Sequence, residues 1–126
     1  MVHVGVDYGR RRTGLAMEDL GVVLPLEPVL DSTWERIAGR LEALAGEHPG
    51  MVVVLGLPLT PSGRPTELSA ETEAFAAFLT ARGLDVRLQR ETSSSVEAEG
   101  LRKGPRDGRT DSIAAGILLR RFLGLP

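Results

Sequence analysis

Met51-Val-Val-Val-Leu55 is an unbroken apolar run with a helix-period pattern on either side of it. A short β-branched run between Pro49 and Gly56 predicts a strand buried on both faces. Such a strand needs cover above and below. With helix patterns flanking it, the simplest closed solution is an α/β fold with helices on both faces of one sheet.

The flanking segments extend this frame. Val2, Val4 and Val6 alternate with His3, Gly5 and Asp7, which predicts a first strand over 2–7. A turn at 9–12 leads to a second strand over 13–17. A turn at 19–21 leads to a third over 22–30, whose Pro25 and Pro28 suit an edge or bulged position. Ser32-Thr-Trp-Glu35 has capping-box spacing ahead of a helix with Trp34, Ile37, Ala38, Leu41, Leu44 and Ala45 inward. After the apolar strand, 56–65 reads as a Gly/Pro-rich loop. A second helix is expected over 66–81 with Leu68, Ala74, Phe75, Phe78 and Leu79 inward, then a fifth strand over 84–90. A short helix over 94–101, a basic loop over 100–109 and a last helix over 111–123 follow. Ile113, Ala114, Ile117, Leu118 and Phe122 are its expected inward face. The predicted order is βββαβαβαα: an antiparallel meander joined to parallel strands in a mixed five-stranded sheet with helices on both faces.

Composition removes several functional classes. A length of 126 residues, 42% of them hydrophobic, predicts one domain over 1–126 that buries a core without staples. With no cysteine there is no disulfide framework, thiolate zinc site or cysteine nucleophile. A formal charge of −2 excludes a globally basic nucleic-acid binder, so any such surface is a local patch. No apolar run approaches the ~20 residues of a membrane span. The opening reads as a strand and not a leader, giving the expectation of a cytoplasmic protein with no membrane partner. Fourteen of the fifteen basic residues are arginine, asparagine is absent and glutamine occurs once, a composition suited to a thermophile.

Three acids stand where apolar periodicity stops: Asp7 ends the first strand, Glu91 the fifth, and Asp111 opens the last helix. Ligands of α/β sheets collect outside strand ends. If the first and fifth strands are neighbours, Asp7 and Glu91 lie close together, and the last helix can add Asp111. Three carboxylates without histidine or cysteine form an all-oxygen set that selects Mg²⁺ or Mn²⁺. Each also has a plain structural reading: Asp7 opens a turn, Asp111 complements a helix dipole, and Glu91 is a solvated charge. His3 and His48 have no evident partners and read as structural. Arg10, Arg11 and Arg12 follow Asp7; Arg102, Lys103, Arg106 and Arg109 precede Asp111. Segments 10–12 and 100–109 each carry +3, the placement a phosphate backbone requires. Tyr8 is the one aromatic residue nearby, too little for a base-stacking platform.

Gly5-Val-Asp7-Tyr-Gly9-Arg-Arg-Arg12-Thr-Gly14-Leu-Ala16 resembles the opening motif of the YqgF (RuvX) family, G-[IV]-D-x-G-x-x-R-x-G-x-A. Met51-Val-Val-Val-Leu-Gly56-Leu-Pro58 and Arg109-Thr-Asp111-Ser-Ile-Ala114-Ala115 resemble its second and third blocks, in order, over 2–123. The resemblance implies a ribonuclease-H-like fold and a bacterial cytoplasmic nuclease using Mg²⁺ or Mn²⁺. Its substrate would be the 5′ end of pre-16S rRNA or, alternatively, a DNA four-way junction, cut by a Holliday junction resolvase. It carries the family's acids onto Asp7, Glu91 and Asp111 as catalytic and metal-binding residues. One block departs: the family's D-E-R is Arg90-Glu91-Thr92 here, which leaves room for a nucleic-acid-binding module with little catalysis. Resolution of a two-fold junction would call for a homodimer; RNA cleavage is compatible with a monomer. An actin-like ATPase also opens with D-x-G and a hairpin, but needs a second lobe.

Overall fold

The computed structural model describes residues 1–91 and 108–126. Strands β1 (His3–Asp7), β2 (Arg12–Asp19) and β3 (Val22–Leu30) form the meander, followed by α1 (Trp34–Glu47), β4 (Val52–Pro58), α2 (Glu67–Ala81), β5 (Asp85–Glu91) and α3 (Gly108–Leu123). The sheet order is β3-β2-β1-β4-β5. The meander pairs antiparallel, and β1-β4 and β4-β5 are parallel. The helix expected over 94–101 and the basic loop lie outside the described residues. No helix among the described residues is long and apolar enough to cross a membrane.

Alternation along the central strands builds two cores. Val4, Val6, Leu15, Val53 and Leu55 pack with Ile37 and Leu41 of α1 and Phe75 and Leu79 of α2. Ala16, Val52 and Val54 pack on the other face with Ala115, Leu118 and Leu119 of α3. The Met51–Leu55 run is buried throughout, as its composition demands. β4 continues through Gly56-Leu-Pro58, which the sequence had suggested was loop; pairing with β5 as far as Pro58↔Glu91 keeps these residues extended.

Local boundaries shift for identifiable reasons. Thr33, not Ser32, caps α1, its hydroxyl accepting from the Arg36 amide. Ser32 is instead drawn down to the β1–β2 turn, where its hydroxyl donates to the Gly9 carbonyl at 2.7 Å. In α2, Ala74 is exposed, and the buried face of the first turns is polar, Ser69 and Thr72. Each of their hydroxyls donates to a backbone carbonyl, of Pro58 and Leu68 respectively, which makes burial tolerable.

The largest correction concerns α3. Ile113 and Ile117 are exposed, while Asp111, Ser112, Ala115, Gly116, Leu118 and Leu119 face inward. The helix is rotated because its seat on the sheet is nearly flat. A Cβ on Gly5 would fall 2.7 Å from the Ala115 carbonyl oxygen, and one on Gly14 would fall 2.0 Å from that of Asp111. Only small residues on both partners allow such an approach, so the bulky isoleucines turn outward. Ser112 completes the seat. β2 has a register irregularity between Thr13 and Leu15. There the Ser112 hydroxyl accepts from the Leu15 amide at 3.3 Å and donates to the Leu26 carbonyl at 2.7 Å.

Gly14→Ala should therefore cost at least the ~1–3 kcal/mol of core overpacking, since backbone and not a flexible side chain is in the way. Gly39→Ala, inside α1 with open space around its Cβ position, should stabilise by about 0.5–1 kcal/mol. Urea unfolding of the two variants checks both signs.

Candidate active site

Sheet alternation determines which acids share a face. Gly5 faces α3, so Asp7, two residues on, faces α3 as well. Asp7 lies opposite Gly14 in the β1–β2 register. Gly14 is the residue on which the Asp111 backbone rests. The α3 seat thus delivers Asp111, buried at 5% exposure, to the level of Asp7. On β5, the Glu91 Cγ is 3.7 Å from where a Gly56 Cβ would be, on the same face as Leu118. All three acids lie on the α3 face, with Asp7 and Glu91 at the carboxyl ends of their strands.

β1 and β5 are not neighbours, although the sequence allows that arrangement. β4 runs between them, which sets their backbones about two strand spacings, ~10 Å, apart. Gly56 on β4 leaves the intervening position without a side chain. Among the described residues, no three His, Asp or Glu side chains are gathered tightly enough to hold one ion. Two of the three acids are associated with arginines. Arg12 Nε is 3.7 Å from Asp111 Oδ2, and Arg121 Nη1, from the last turn of α3, pairs with Glu91 Oε2. Glu91 Oε1 is buried and accepts no hydrogen bond among the described residues. A buried acceptor left so is costly, and a cation satisfies it. The donors are all hard oxygens, the set expected for Mg²⁺ or Mn²⁺; in donor chemistry the residues fit such an ion.

The three arginines after Asp7 have separate fates. Their turn is fixed at Gly9, where a Cβ would fall 2.2 Å from the Arg12 carbonyl oxygen. The Thr13 hydroxyl bonds the Gly9 backbone at 3.2 Å and the Ser32 amide donates to the Arg11 carbonyl at 3.1 Å. Arg10 is held by Glu71 of α2 at 3.0 Å, Arg12 leans on Asp111, and Arg11 is exposed. Arg90 is exposed and, by alternation, lies on the face opposite Glu91. Thr92, Arg102, Lys103 and Arg106 lie outside the described residues, as does the side chain of Arg109 in the first turn of α3.

Sequence reasoning missed the network beneath this turn. The Tyr8 hydroxyl accepts from Trp34 Nε1 at 3.0 Å and donates to Glu71 Oε2 at 2.7 Å. Its ring stacks on Phe75, centroids 4.9 Å apart, so it serves the core and not a base. His3, likewise structural, pairs with Glu18 at 3.0 Å and contacts Phe122.

The order β3-β2-β1-β4-β5, with three antiparallel strands, two parallel crossovers and acids at the strand ends, defines a ribonuclease-H-like fold. The zinc-bound large terminase nuclease of thermophilic phage G20c superposes on it with a TM-score of 0.60, at 20% identity over 96% of this chain and 80% of that one. In its magnesium-bound form the TM-score is 0.51 at 24% identity, covering 79% of this chain and about half, 49%, of the nuclease. Thermus thermophilus RuvC, solved with a Holliday junction substrate, gives a TM-score of 0.57 at 18% identity over 98% of this chain and 97% of that one. At this identity the likeness is one of fold. Residues 1–124 match the profile of the RuvX family, described as Holliday junction resolvase. A relative from Nitratidesulfovibrio vulgaris, provisionally named pre-16S rRNA nuclease, is 36% identical over 135 residues, covering 100% of this chain and 95% of its own. The chain belongs to the RuvX family.

The Tyr8 network gives folding stability a pH dependence. The Tyr8 hydroxyl, opposed by burial and seconded by Arg10, holds the Glu71 carboxyl below the usual carboxylate range. Burial first, and then the bond to Glu71, pushes the Tyr8 phenol up. A carboxyl depressed in the folded state stabilises above its unfolded pKa, and this contribution is lost as pH falls through the folded value. A phenol raised in the folded state loses its contribution as pH climbs past the ordinary tyrosine range. Urea midpoints should fall more steeply for the wild type than for Glu71→Gln as pH drops below the ordinary carboxylate range. Parallel pH profiles would show that Glu71 plays no such part.

Proposed function

We propose that the chain is a metal-dependent phosphodiesterase acting on structured RNA, with the 5′ end of pre-16S rRNA as its substrate. Asp7, Glu91 and Asp111 would hold Mg²⁺ or Mn²⁺. The observation that carries this reading is the delivery of three carboxylates to one face of the sheet, one of them with a buried oxygen that has no hydrogen-bond partner among the described residues. Family membership supports hydrolysis of nucleic acid, and the names of the relatives support the RNA substrate over the DNA junction.

The chain's own groups have distinct tasks. Asp7 offers a carboxylate at the end of a strand bonded on both sides, so its position is set by the sheet. Asp111 is set by the α3 seat, and Glu91 by β5. Arg11 presents a guanidinium to the phosphate backbone from a turn that cannot easily move. Arg10 is held back by Glu71, and Arg12 lies between the turn and Asp111. Divalent cations, when bound, lower the pKa of a water and stabilise the departing oxygen.

A second reading has its own observation. Asp111 and Glu91 both stand beside arginines, and that charge balance also suits a nucleic-acid-binding module with little catalysis. Cleavage of a pre-16S 5′-end RNA and of a four-way DNA junction, in Mn²⁺ or Mg²⁺, separates the two readings. The wild type is expected to cut the RNA, and Asp7→Asn to lose about a hundredfold in rate, ~3 kcal/mol of transition-state stabilisation, with its fold retained. Cutting undiminished in Asp7→Asn would sink the three-acid site. Salt-sensitive binding without cutting would favour the module.

The arginine turn has a separate readout. Arg11→Ala should weaken RNA binding and reduce the slope of log K against log salt by about one. Arg10→Ala should have less effect, because its charge is already matched by Glu71. Equal effects from the two variants would show that the Glu71 pair does not hold Arg10 away from RNA.

A further inference from the structure

α3 carries charge at both ends of one diagonal crossing. Asp111 sits in its first turn; Arg121, ten residues on, sits in its last, ~15 Å further along the axis. Between them Leu118 lies over Gly56, its Cδ atoms 3.4 and 3.5 Å from where a Cβ would stand. Arg121 follows Leu118 by three residues, on the same side of the helix. It reaches Glu91, whose Cγ borders the same gap over Gly56. The helix that seats Asp111 therefore also supplies a cation to Glu91.

The pair is asymmetric. The Glu91 side chain is 16% exposed and the Arg121 side chain 46%. Arg121 holds Oε2 and leaves Oε1 buried, with no hydrogen-bond partner among the described residues. The guanidinium and an incoming cation would compete for the same carboxylate. Half in water, the Arg121 side chain has solvent to swing into, whereas Glu91 cannot leave the end of β5.

We propose that Arg121 is an exchangeable counter-ion for Glu91, holding the carboxylate until a divalent cation takes it, and so weakening cation affinity at this site. This rests on the reading of Asp7, Glu91 and Asp111 as the cation ligands. It makes Arg121 a positioning residue that sets the divalent concentration at which the site fills. The cost of displacing Arg121 and the repulsion between it and the incoming ion both act against binding; removing the guanidinium relieves both.

Mn²⁺ titration of the full chain, with free Mn²⁺ read by electron paramagnetic resonance, tests this apart from activity. Arg121→Gln is expected to bind Mn²⁺ about tenfold more tightly than the wild type, and Arg121→Lys, which keeps the charge, to bind within about twofold of it. Asp7→Asn is expected to lose binding in both the wild-type and Arg121→Gln backgrounds. Arg121→Met, which keeps the aliphatic stem over the sheet, replaces the glutamine variant if that one melts early. Asp7-dependent binding that is unchanged or weaker in Arg121→Gln or Arg121→Met overturns the counter-ion role alone. Binding that is absent from the wild type and from both neutral variants, or indifferent to Asp7, overturns the three-acid site and this inference with it.

Discussion

The backbone of α3 rests on the backbone of β1 and β2, and most of the rest of the molecule depends on that contact. Gly5 and Gly14 have no side chains to hold the helix off, and a Cβ on either would run into α3. Close approach excludes water and aligns two rigid elements. It also fixes the level at which Asp111 meets Asp7. The Ser112 hydroxyl bonds both strands flanking the β2 irregularity, so the first turn of α3 is tied to the sheet by hydrogen bonds as well as by shape. A one-residue rotation of the helix would bury Ile113 or Ile117 against this flat seat and carry Asp111 away.

On the other face, packing is conventional, and its role at the site is indirect. Trp34, Tyr8 and Glu71 form a hydrogen-bonded chain that links α1, the end of β1 and α2. Arg10 extends it to the β1–β2 turn. The carboxyl end of β1 is thus braced on both faces of the sheet, by α3 below Asp7 and by this chain beneath Tyr8. A strand end held in this way can present a carboxylate with little freedom, which is what a preorganised site requires. The three consecutive arginines are unequal: Arg10 pairs with Glu71, Arg12 lies beside Asp111, and Arg11 is exposed.

Charge at the site is balanced locally. Arg12 lies beside Asp111 and Arg121 beside Glu91. The chain carries acids that would repel one another if desolvated together, and it places arginines from the turn and from the far end of α3 among them. Arg90 lies on the opposite face from Glu91. Its charge is therefore not added to the carboxylate face.

The order of the described elements, and the placing of Asp7, Glu91 and Asp111 at element ends, were legible in the sequence, because strand and helix periods differ and because the acids interrupt apolar runs. The Met51–Leu55 strand could be read as the sheet centre from its composition alone. Other features depended on distance along the chain. The separation of β1 from β5 by β4 is a choice among sheet orders that local periodicity does not encode. The buried face of α3 was misjudged because isoleucine spacing suggests a core stripe, whereas the seat selected small residues by steric fit with Gly5 and Gly14. The partners of Glu91, Arg10 and His3 lie 30, 61 and 15 residues away. The sequence determined which residues form each element and where the carboxylates interrupt them. Only the tertiary structure decided which arginine meets which acid, because that depends on how α3 crosses the sheet and how closely two glycines let it approach.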